Sequence, residues 1–257
     1  MHIWSAMLAA VAIGASAANA SADCRAHSAD RTAALIELYT SEGCDSCPPA
    51  DRWLSALAAD GLGGGAVALA LHVDYWDRLG WKDRFASAGF TARQRDESAR
   101  SGAPFVYTPQ VVLQGRDFPQ WRSGGLQDAI AAINARPARA VIDLAVQRRD
   151  GTAEIELRAA VADPRDRTDA VVAVALVQSG LASDVRAGEN AGKRLRHDHV
   201  VRQWRQDIAL DASGAATARL SMPLPADGGP LSVVALAENA HSGDVLQVLE
   251  LPLCAAR

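Results

Sequence analysis

Two cysteines separated by two residues are the feature of this sequence that could do chemistry. They are Cys44 and Cys47, in the run Glu-Gly-Cys-Asp-Ser-Cys-Pro-Pro. A Cys-x-x-Cys pair can cycle between dithiol and disulfide, or it can supply half of a zinc site. A zinc site of that kind needs a second ligand pair, but the other two cysteines are Cys24 and Cys254, near the two ends of the chain. The spacing therefore favours redox chemistry.

The cysteine pair lies between a predicted strand and a predicted helix. Residues 35–39 form a short apolar run with one acid in it, Glu37, and residues 50–59 show helical spacing, so the pair falls at the start of the helix. Backbone N–H groups and the helix dipole at such a position lower the pKa of a thiol and favour its thiolate. We therefore expect Cys44 to be the exposed, attacking thiol and Cys47 the less exposed, resolving thiol. The alternative is a structural disulfide across a short loop.

A second candidate feature is Thr108-Pro109, directly before the apolar segment 110–113. In thioredoxin-like folds a cis-proline precedes such a strand and lies against the active cysteines. A cis X-Pro bond costs only about 0.5–1 kcal/mol relative to trans. It would leave the backbone of Thr108 free to pair with a substrate chain, which Pro109 would help to hold. An ordinary trans proline that opens an edge strand is the alternative.

Aromatic and acidic residues follow the second predicted strand, residues 66–73. In open α/β sheets the carboxyl ends of strands line the ligand crevice, so we expect this block near the cysteines. Trp76 and Trp81 would then form an aromatic wall for a substrate, with Asp74 as a polar anchor. A packed aromatic loop without a binding role is the alternative.

The elements that must position these residues change in character along the chain. Up to residue 135, apolar runs alternate with segments of helical spacing, which predicts a parallel or mixed α/β sheet. After Arg136-Pro137 the sequence predicts about seven short strands without intervening helices, a pattern typical of a β-sandwich. We place the domain boundary there, with one domain at 21–137 and the other at 138–257.

The first twenty residues have the pattern of a secretory signal peptide. Residues 1–20 contain no Asp, Glu, Lys or Arg, and they end in Ala18-Asn19-Ala20, a small-x-small cleavage pattern. An uncleaved anchor is the alternative. No other apolar run reaches the ~18 residues that span a bilayer. We expect a periplasmic or secreted protein that does not bind a membrane after signal cleavage.

Export and charge limit the partners and suggest a second disulfide. With 26 Lys+Arg against 30 Asp+Glu the net charge is −4, which provides no long-range attraction for nucleic acid. Disulfides persist outside the cytosol, and chain termini often lie close together. We therefore expect a disulfide between Cys24 and Cys254 that ties the N-terminal arm to the last strand. Two free thiols, or a link to another molecule, are the alternatives.

Four blocks of this sequence resemble one family. The run 37–51, ELYTSEGCDSCPPAD, and the blocks at 72–83, 107–110 and 188–192 are similar to a secreted bacterial family known as domain of unknown function 1223. The resemblance implies a thioredoxin-like fold with a β-rich extension and assigns no reaction. The expected fold class is thus an α/β thioredoxin-like domain followed by an all-β, sandwich-like C-terminal domain.

The comparison with thioredoxins also draws attention to Glu37. It lies near the position where thioredoxins keep a buried acid, with one extra residue before the first cysteine. If buried, Glu37 could relay a proton to Cys47. It could equally be an exposed charge at the end of a strand.

Together these residues predict an exported thiol–disulfide oxidoreductase that needs no cofactor and no metal. Its substrate would be a protein or small-molecule thiol or disulfide. Two other interpretations stay open: a metallochaperone that binds copper(I) through Cys44, Cys47 and a histidine, and a non-catalytic scaffold with a structural disulfide. His197-x-His199 could also ligate a metal, but the sequence offers no third ligand, and two solvent-facing side chains on a strand are the alternative.

Overall fold

The computed structural model describes residues 24–59, 65–103 and 105–254. The predicted signal peptide, residues 1–20, lies outside the described residues. The strands are β1 (Cys24–His27), β2 (Ala34–Thr40), β3 (Ala66–His72), β4 (Gln110–Leu113), β5 (Arg116–Asp117), β6 (Ala140–Arg149), β7 (Thr152–Val161), β8 (Ala170–Gln178), β9 (Leu181–Asp184), β10 (Arg194–His197), β11 (Val200–Ala209), β12 (Ala215–Pro223), β13 (Leu231–Asn239) and β14 (Val245–Pro252). The helices are α1 (Pro48–Ala59), α2 (Ala88–Arg100), α3 (Leu126–Asn134) and α4 (Pro164–Arg167), with 3₁₀ turns at Asp77–Leu79 and Pro119–Arg122.

The described strands form three sheets. The largest has eight strands in the order β14-β13-β8-β11-β3-β2-β4-β5, the second has four in the order β1-β6-β7-β12, and β9 pairs with β10. In the eight-stranded sheet β3 pairs in parallel with β2 on one side and with β11 on the other. The remaining strand pairs within the three sheets are antiparallel.

The predicted fold class is wrong, because the described residues form a mainly β protein with mixed and antiparallel sheets and no clear α/β thioredoxin fold. The alternation of strands and helices before residue 137 predicts an independent α/β sheet only if the strands of that region pair solely with one another. Here the free edge of β3 is taken by β11, from the second half of the chain. Conversely, β1, which comes before the predicted boundary, pairs with β6, which comes after it. Strands from both sides of the predicted domain boundary at residue 137 thus share the same sheets.

Three apolar clusters form the core. The first lies between the four-stranded sheet and the β8, β13 and β14 part of the large sheet, with Ile142, Ile155 and Leu176 fully buried. The second packs α1 and α3 against one face of β2, β3 and β4, and the third packs α2 against the other face. Because both faces of β2 are covered, all seven of its residues are buried, including the acid Glu37.

A buried ion cluster around Arg93 joins the two halves of the chain. The Nε of Arg93, on α2, lies 2.8 Å from Glu37 on β2, and its two terminal nitrogens lie 2.8 and 2.9 Å from the carboxylate of Glu238 on β13. Glu97, one turn along α2, is 3.0 Å from the same guanidinium and accepts a hydrogen bond of 2.9 Å from the hydroxyl of Tyr39. Burial and the charge of Glu37 raise the pKa of Glu97 well above its usual range. We infer that Glu97 is the carboxyl group that takes up a proton here, which would leave two carboxylates around one guanidinium.

This arrangement predicts unequal effects of two substitutions. Arg93→Met should lower the free energy of unfolding by about 3–5 kcal/mol, because it leaves buried carboxylates without a counter-charge. Glu97→Gln should cost about 1 kcal/mol or less, since it replaces a neutral group with one of similar shape. Urea unfolding at pH 7 measures both values. Equal losses in the two variants would contradict the assignment of the proton to Glu97.

Candidate functional site

The cysteine pair is placed by a tight turn between β2 and α1. After Thr40 the chain folds back, with hydrogen bonds of 3.2 Å from the Cys44 N–H to the Ser41 carbonyl and of 3.3 Å from the Cys47 N–H to the Cys44 carbonyl. Helix α1 begins at Pro48, where a missing N–H costs little. Cys44 and Cys47 form a disulfide with their Cα atoms 5.4 Å apart.

Both cysteines are completely buried, so the expectation of an exposed Cys44 is wrong. Residues 188–193, which lie in the connection between β9 and β10, are hydrogen-bonded to the turn; we call them the covering loop. The side-chain amide of Asn190 donates hydrogen bonds of 2.9 Å to the Glu42 carbonyl and 2.8 Å to the Cys44 carbonyl. The two residues between the cysteines, Asp45 and Ser46, are exposed.

The proline and one tryptophan meet beside this turn. The Thr108–Pro109 peptide bond is cis, and the indole N–H of Trp76 donates a hydrogen bond of 2.8 Å to the hydroxyl of Thr108. Trp76 also lies against Gly43, where an added Cβ would come within 3.1 Å of the tryptophan Cβ. The structure thus brings Trp76, Thr108 and Pro109 together next to the residue that precedes Cys44.

The other residues expected at the site have different partners. Asp74 is tied to α2, because its carboxylate accepts a hydrogen bond of 2.5 Å from Thr91. Trp81 donates a hydrogen bond of 2.7 Å to the Glu42 carboxylate and so turns towards the interior. The structure does not bring Glu37 together with the cysteines. Glu37 belongs to the face of β2 that packs on α2 and is bound to Arg93, whereas α1 and the cysteines lie on the opposite face.

Five acidic and histidine side chains form a buried polar cluster next to the cysteine turn: Glu42, Asp51, His72, Asp83 and His197. The Nδ1 of His72 lies 2.6 Å from the Asp83 carboxylate, which also accepts a hydrogen bond of 2.9 Å from the backbone N–H of Glu42. The Nε2 of His197 lies 3.3 Å from the Glu42 carboxylate, and the two imidazole rings are 5.0 Å apart. Asp51 accepts a hydrogen bond of 2.7 Å from the hydroxyl of Thr40.

Burial and mutual charge shift the pKa values in this cluster in opposite directions. Burial alone would raise the pKa of Asp83, but the adjacent charge and hydrogen bond of His72 lower it to about 2. The pKa of His72 is raised, because the charge of Asp83 outweighs the effect of burial. Burial raises the pKa of Asp51, despite the opposing influence of His197 and His72. Asp51 is therefore the carboxyl group in this cluster that holds a proton more readily than usual.

Several members of this site were not identified from the sequence. Asp51 could have been found, since it lies four residues after Cys47, and side chains at that spacing are neighbours on a helix. The alternative of two solvent-facing histidines on one strand is wrong for His197. His197 is buried at the end of β10, while His199 lies in the turn before β11 with a φ of 56°. Among the described residues, no group of three or more His, Cys, Asp and Glu side chains is arranged to hold a metal ion.

A second disulfide joins the ends of the described chain. Cys24 on β1 is bonded to Cys254, just after β14, with Cα atoms 6.0 Å apart. Two disulfides indicate an oxidising, extracellular compartment. None of the helices in the described ranges is long and apolar enough to cross a membrane.

The fold and the paired cysteines define a mainly β, disulfide-containing protein, and comparisons with known proteins agree with the family resemblance. The chain belongs to the family described as protein of unknown function (DUF1223), whose model matches residues 35–237. A crystal structure of protein AGR_C_4864 from Agrobacterium tumefaciens is 26% identical, with a TM-score of 0.60 over 87% of this chain and 95% of that one. HBP35 of Porphyromonas gingivalis is similar in fold, with 13% identity and a TM-score of 0.64 over 87% of this chain and 76% of that one. No curated protein matches the sequence.

The low pKa of Asp83 predicts a specific acid sensitivity. Its pKa is 3.8 in a model compound and about 2 in the folded protein, so the ionised carboxylate stabilises the fold above about pH 4. That contribution is lost as the pH falls through the folded pKa. The advantage of the wild type over Asp83→Asn in free energy of unfolding should thus shrink by roughly 2 kcal/mol between pH 5 and pH 2.

Urea unfolding at a series of pH values measures this difference. In a His72→Gln background the change should be smaller, because the imidazolium charge that lowers the Asp83 pKa is absent. A difference between wild type and Asp83→Asn that stays constant over the same range would contradict the interpretation.

Proposed function

We propose that this protein is an exported thiol–disulfide oxidoreductase in which Cys44 and Cys47 cycle between a disulfide and a dithiol. The observation that carries the proposal is the position of the disulfide, directly before α1, with Cys47 one turn before the buried Asp51. The N-terminus of a helix favours a thiolate, and a nearby carboxyl of raised pKa can accept a thiol proton. The signal-like residues 1–20 and the two disulfides support export to the periplasm or the exterior.

The reaction with a substrate disulfide would proceed in two exchanges. The Cys44 thiolate attacks one sulfur of the substrate disulfide, and the other substrate sulfur leaves as a thiolate. The Cys47 thiol then gives its proton to Asp51, and the resulting thiolate attacks the sulfur of Cys44. The second substrate thiolate leaves and the Cys44–Cys47 disulfide forms, so two electrons pass from the protein to the substrate. Protons from Asp51 and solvent restore the substrate thiols.

The residues beside the turn suggest where a substrate would bind. Trp76, Thr108 and Pro109 are each only half-buried, so they offer a surface next to Gly43. Phe105 is 66% exposed, and its ring centroid lies 6.4 Å from that of Tyr107 in the same segment. An aromatic surface of this kind suits a protein or a small molecule that carries the disulfide.

A non-catalytic scaffold is the second candidate, and one observation favours it. Both sulfur-bearing residues have no exposed surface in the disulfide form, as a structural disulfide commonly has none. The two candidates differ in whether a substrate can form a covalent intermediate with the protein.

Cysteine substitutions separate the candidates. Cys47→Ser should trap mixed disulfides with a disulfide-bonded substrate, because no resolving thiol is present, whereas Cys44→Ser should trap none. Non-reducing electrophoresis followed by mass spectrometry of the adducts measures the trapping. Trapping by neither variant would favour the scaffold. Copper(I) bound to the reduced protein and lost in either variant would favour the metallochaperone instead.

The role of Asp51 predicts a pH-dependent loss of rate. Asp51→Asn should slow the resolving step by about 100-fold at pH 7, because general acid–base groups contribute on that order. The loss should be smaller at pH 9, where a thiol with a pKa of about 8.5 ionises without help. Stopped-flow measurement of the release of the second substrate thiol follows this step. Asp45→Asn, which changes an exposed carboxylate beside Cys44, is the matched control; an equal loss in both variants would refute a role for Asp51.

A further inference from the structure

The covering loop, residues 188–193, is held to the cysteine turn by one fully buried side chain. Asn190 has no exposed surface, and both of its side-chain hydrogen bonds as a donor go to carbonyls of the turn, those of Glu42 and Cys44. Its amide oxygen accepts a hydrogen bond of 2.8 Å from the ammonium of Lys193, which fixes the orientation of the amide. The hydrogen-bonding capacity of Asn190 is thus committed to this contact.

A neighbouring residue of the same loop makes the complementary contact. The carboxylate of Glu189 accepts a hydrogen bond of 3.1 Å from the backbone N–H of Asp45. Two backbone carbonyls and one N–H of the turn are therefore bonded to side chains of the covering loop rather than to a neighbouring strand. Amide donors and an oxygen acceptor are also what the backbone of an extended polypeptide offers. The loop presents the same chemistry as a bound peptide segment.

The covering loop belongs to a separate hairpin and is bonded to the turn by few polar contacts. It is carried by β9 and β10, which pair with each other and lie outside the other two sheets. Its base is closed by hydrogen bonds of 2.9 Å from the Val185 N–H to the Lys193 carbonyl and 2.8 Å from the Gly192 N–H to the Val185 carbonyl. It begins at Gly188, whose φ of 72° favours glycine. Beyond that base, the polar contacts of Asn190 and Glu189 tie the loop to the turn.

We propose that the covering loop is an access gate, which takes the place of a substrate backbone over the Cys44–Cys47 disulfide and must lift before thiol exchange. The inference rests on the proposed redox function for its biological meaning. Attack on a disulfide requires access to a sulfur atom, and neither cysteine has exposed surface while the loop is closed. An extended segment of a substrate protein would displace Glu189 and Asn190 by bonding to the same three backbone groups.

The test measures how fast a small phosphine reductant opens the Cys44–Cys47 disulfide of the full-length protein. Asn190→Asp keeps the shape of the side chain but turns carboxylate oxygens towards two carbonyls. Loss of two hydrogen bonds of ordinary strength should raise the reduction rate by about 30-fold. Differential alkylation and mass spectrometry report each disulfide separately. Reduction of Cys24–Cys254 serves as an internal control whose rate should not change.

Two further measurements test the role of the covering loop. Arg194→Gln alters an exposed pair with Asp184 on the same hairpin and should leave the reduction rate unchanged. If Asn190→Asp does not fold, amide hydrogen exchange is measured on the wild-type protein instead. The amide of Asp45 should then exchange faster than the amides in the interior of α1. A folded Asn190→Asp protein with the wild-type reduction rate, or an Asp45 amide as protected as the helix, would overturn the gate. Faster reduction without trapping by Cys47→Ser would support the gate and refute the oxidoreductase.

Discussion

The pairing of β3 with β11 decides which side chains reach the cysteines. Val200 at the start of β11 pairs with Ala70 near the end of β3, and the Ala70 N–H donates a hydrogen bond of 2.8 Å to the His199 carbonyl. This register places the segment just before β11 level with the end of β3. His197 therefore meets His72, and the hairpin that precedes it carries the covering loop over the start of α1. Through this pairing the second half of the chain contributes to the cysteine turn.

Two groups of buried charges lie on opposite faces of the strands around this junction. The cluster at Arg93 is closely paired, as buried charges must be if they are not to destabilise the fold. Even there, the Oε2 of Glu37 has no hydrogen bond in the part of the chain that the structure describes, and the buried polar cluster beside the cysteines has unpaired atoms too. The Nε2 of His72 and the Nδ1 of His197 make no hydrogen bond within the described residues, and the Oε1 of Glu42 and the Nε2 of His197 face each other at 3.3 Å. Buried polar groups without partners and with shifted pKa values are more typical of functional sites than of purely structural ones.

Burial of the disulfide and its proposed reactivity are connected through the covering loop. A loop held by a few hydrogen bonds can keep solvent and unrelated thiols away from the sulfurs, while a substrate that bonds to the same backbone groups can replace it. The Glu42 carbonyl is bonded to this loop through Asn190, and the Glu42 carboxylate contacts Trp81 and His197. Glu42 therefore belongs to the buried polar cluster and is also bonded to the covering loop.

The sequence by itself determined the local features: the Cys-x-x-Cys pair before a helix, the proline before β4, the buried strands β2 and β3, and the family. Each depends on residues close together in the chain, where helix caps, apolar runs and turn residues act. Only the tertiary structure decided the fold class, the burial of Cys44 and the members of the polar cluster. Asn190 lies 146 residues from Cys44, and Glu238 lies 145 residues from Arg93. Contacts between residues so far apart in sequence depend on which strand pairs with the free edge of β3. The apolar pattern of a strand predicts that the strand is buried, but it does not predict which strand pairs with it.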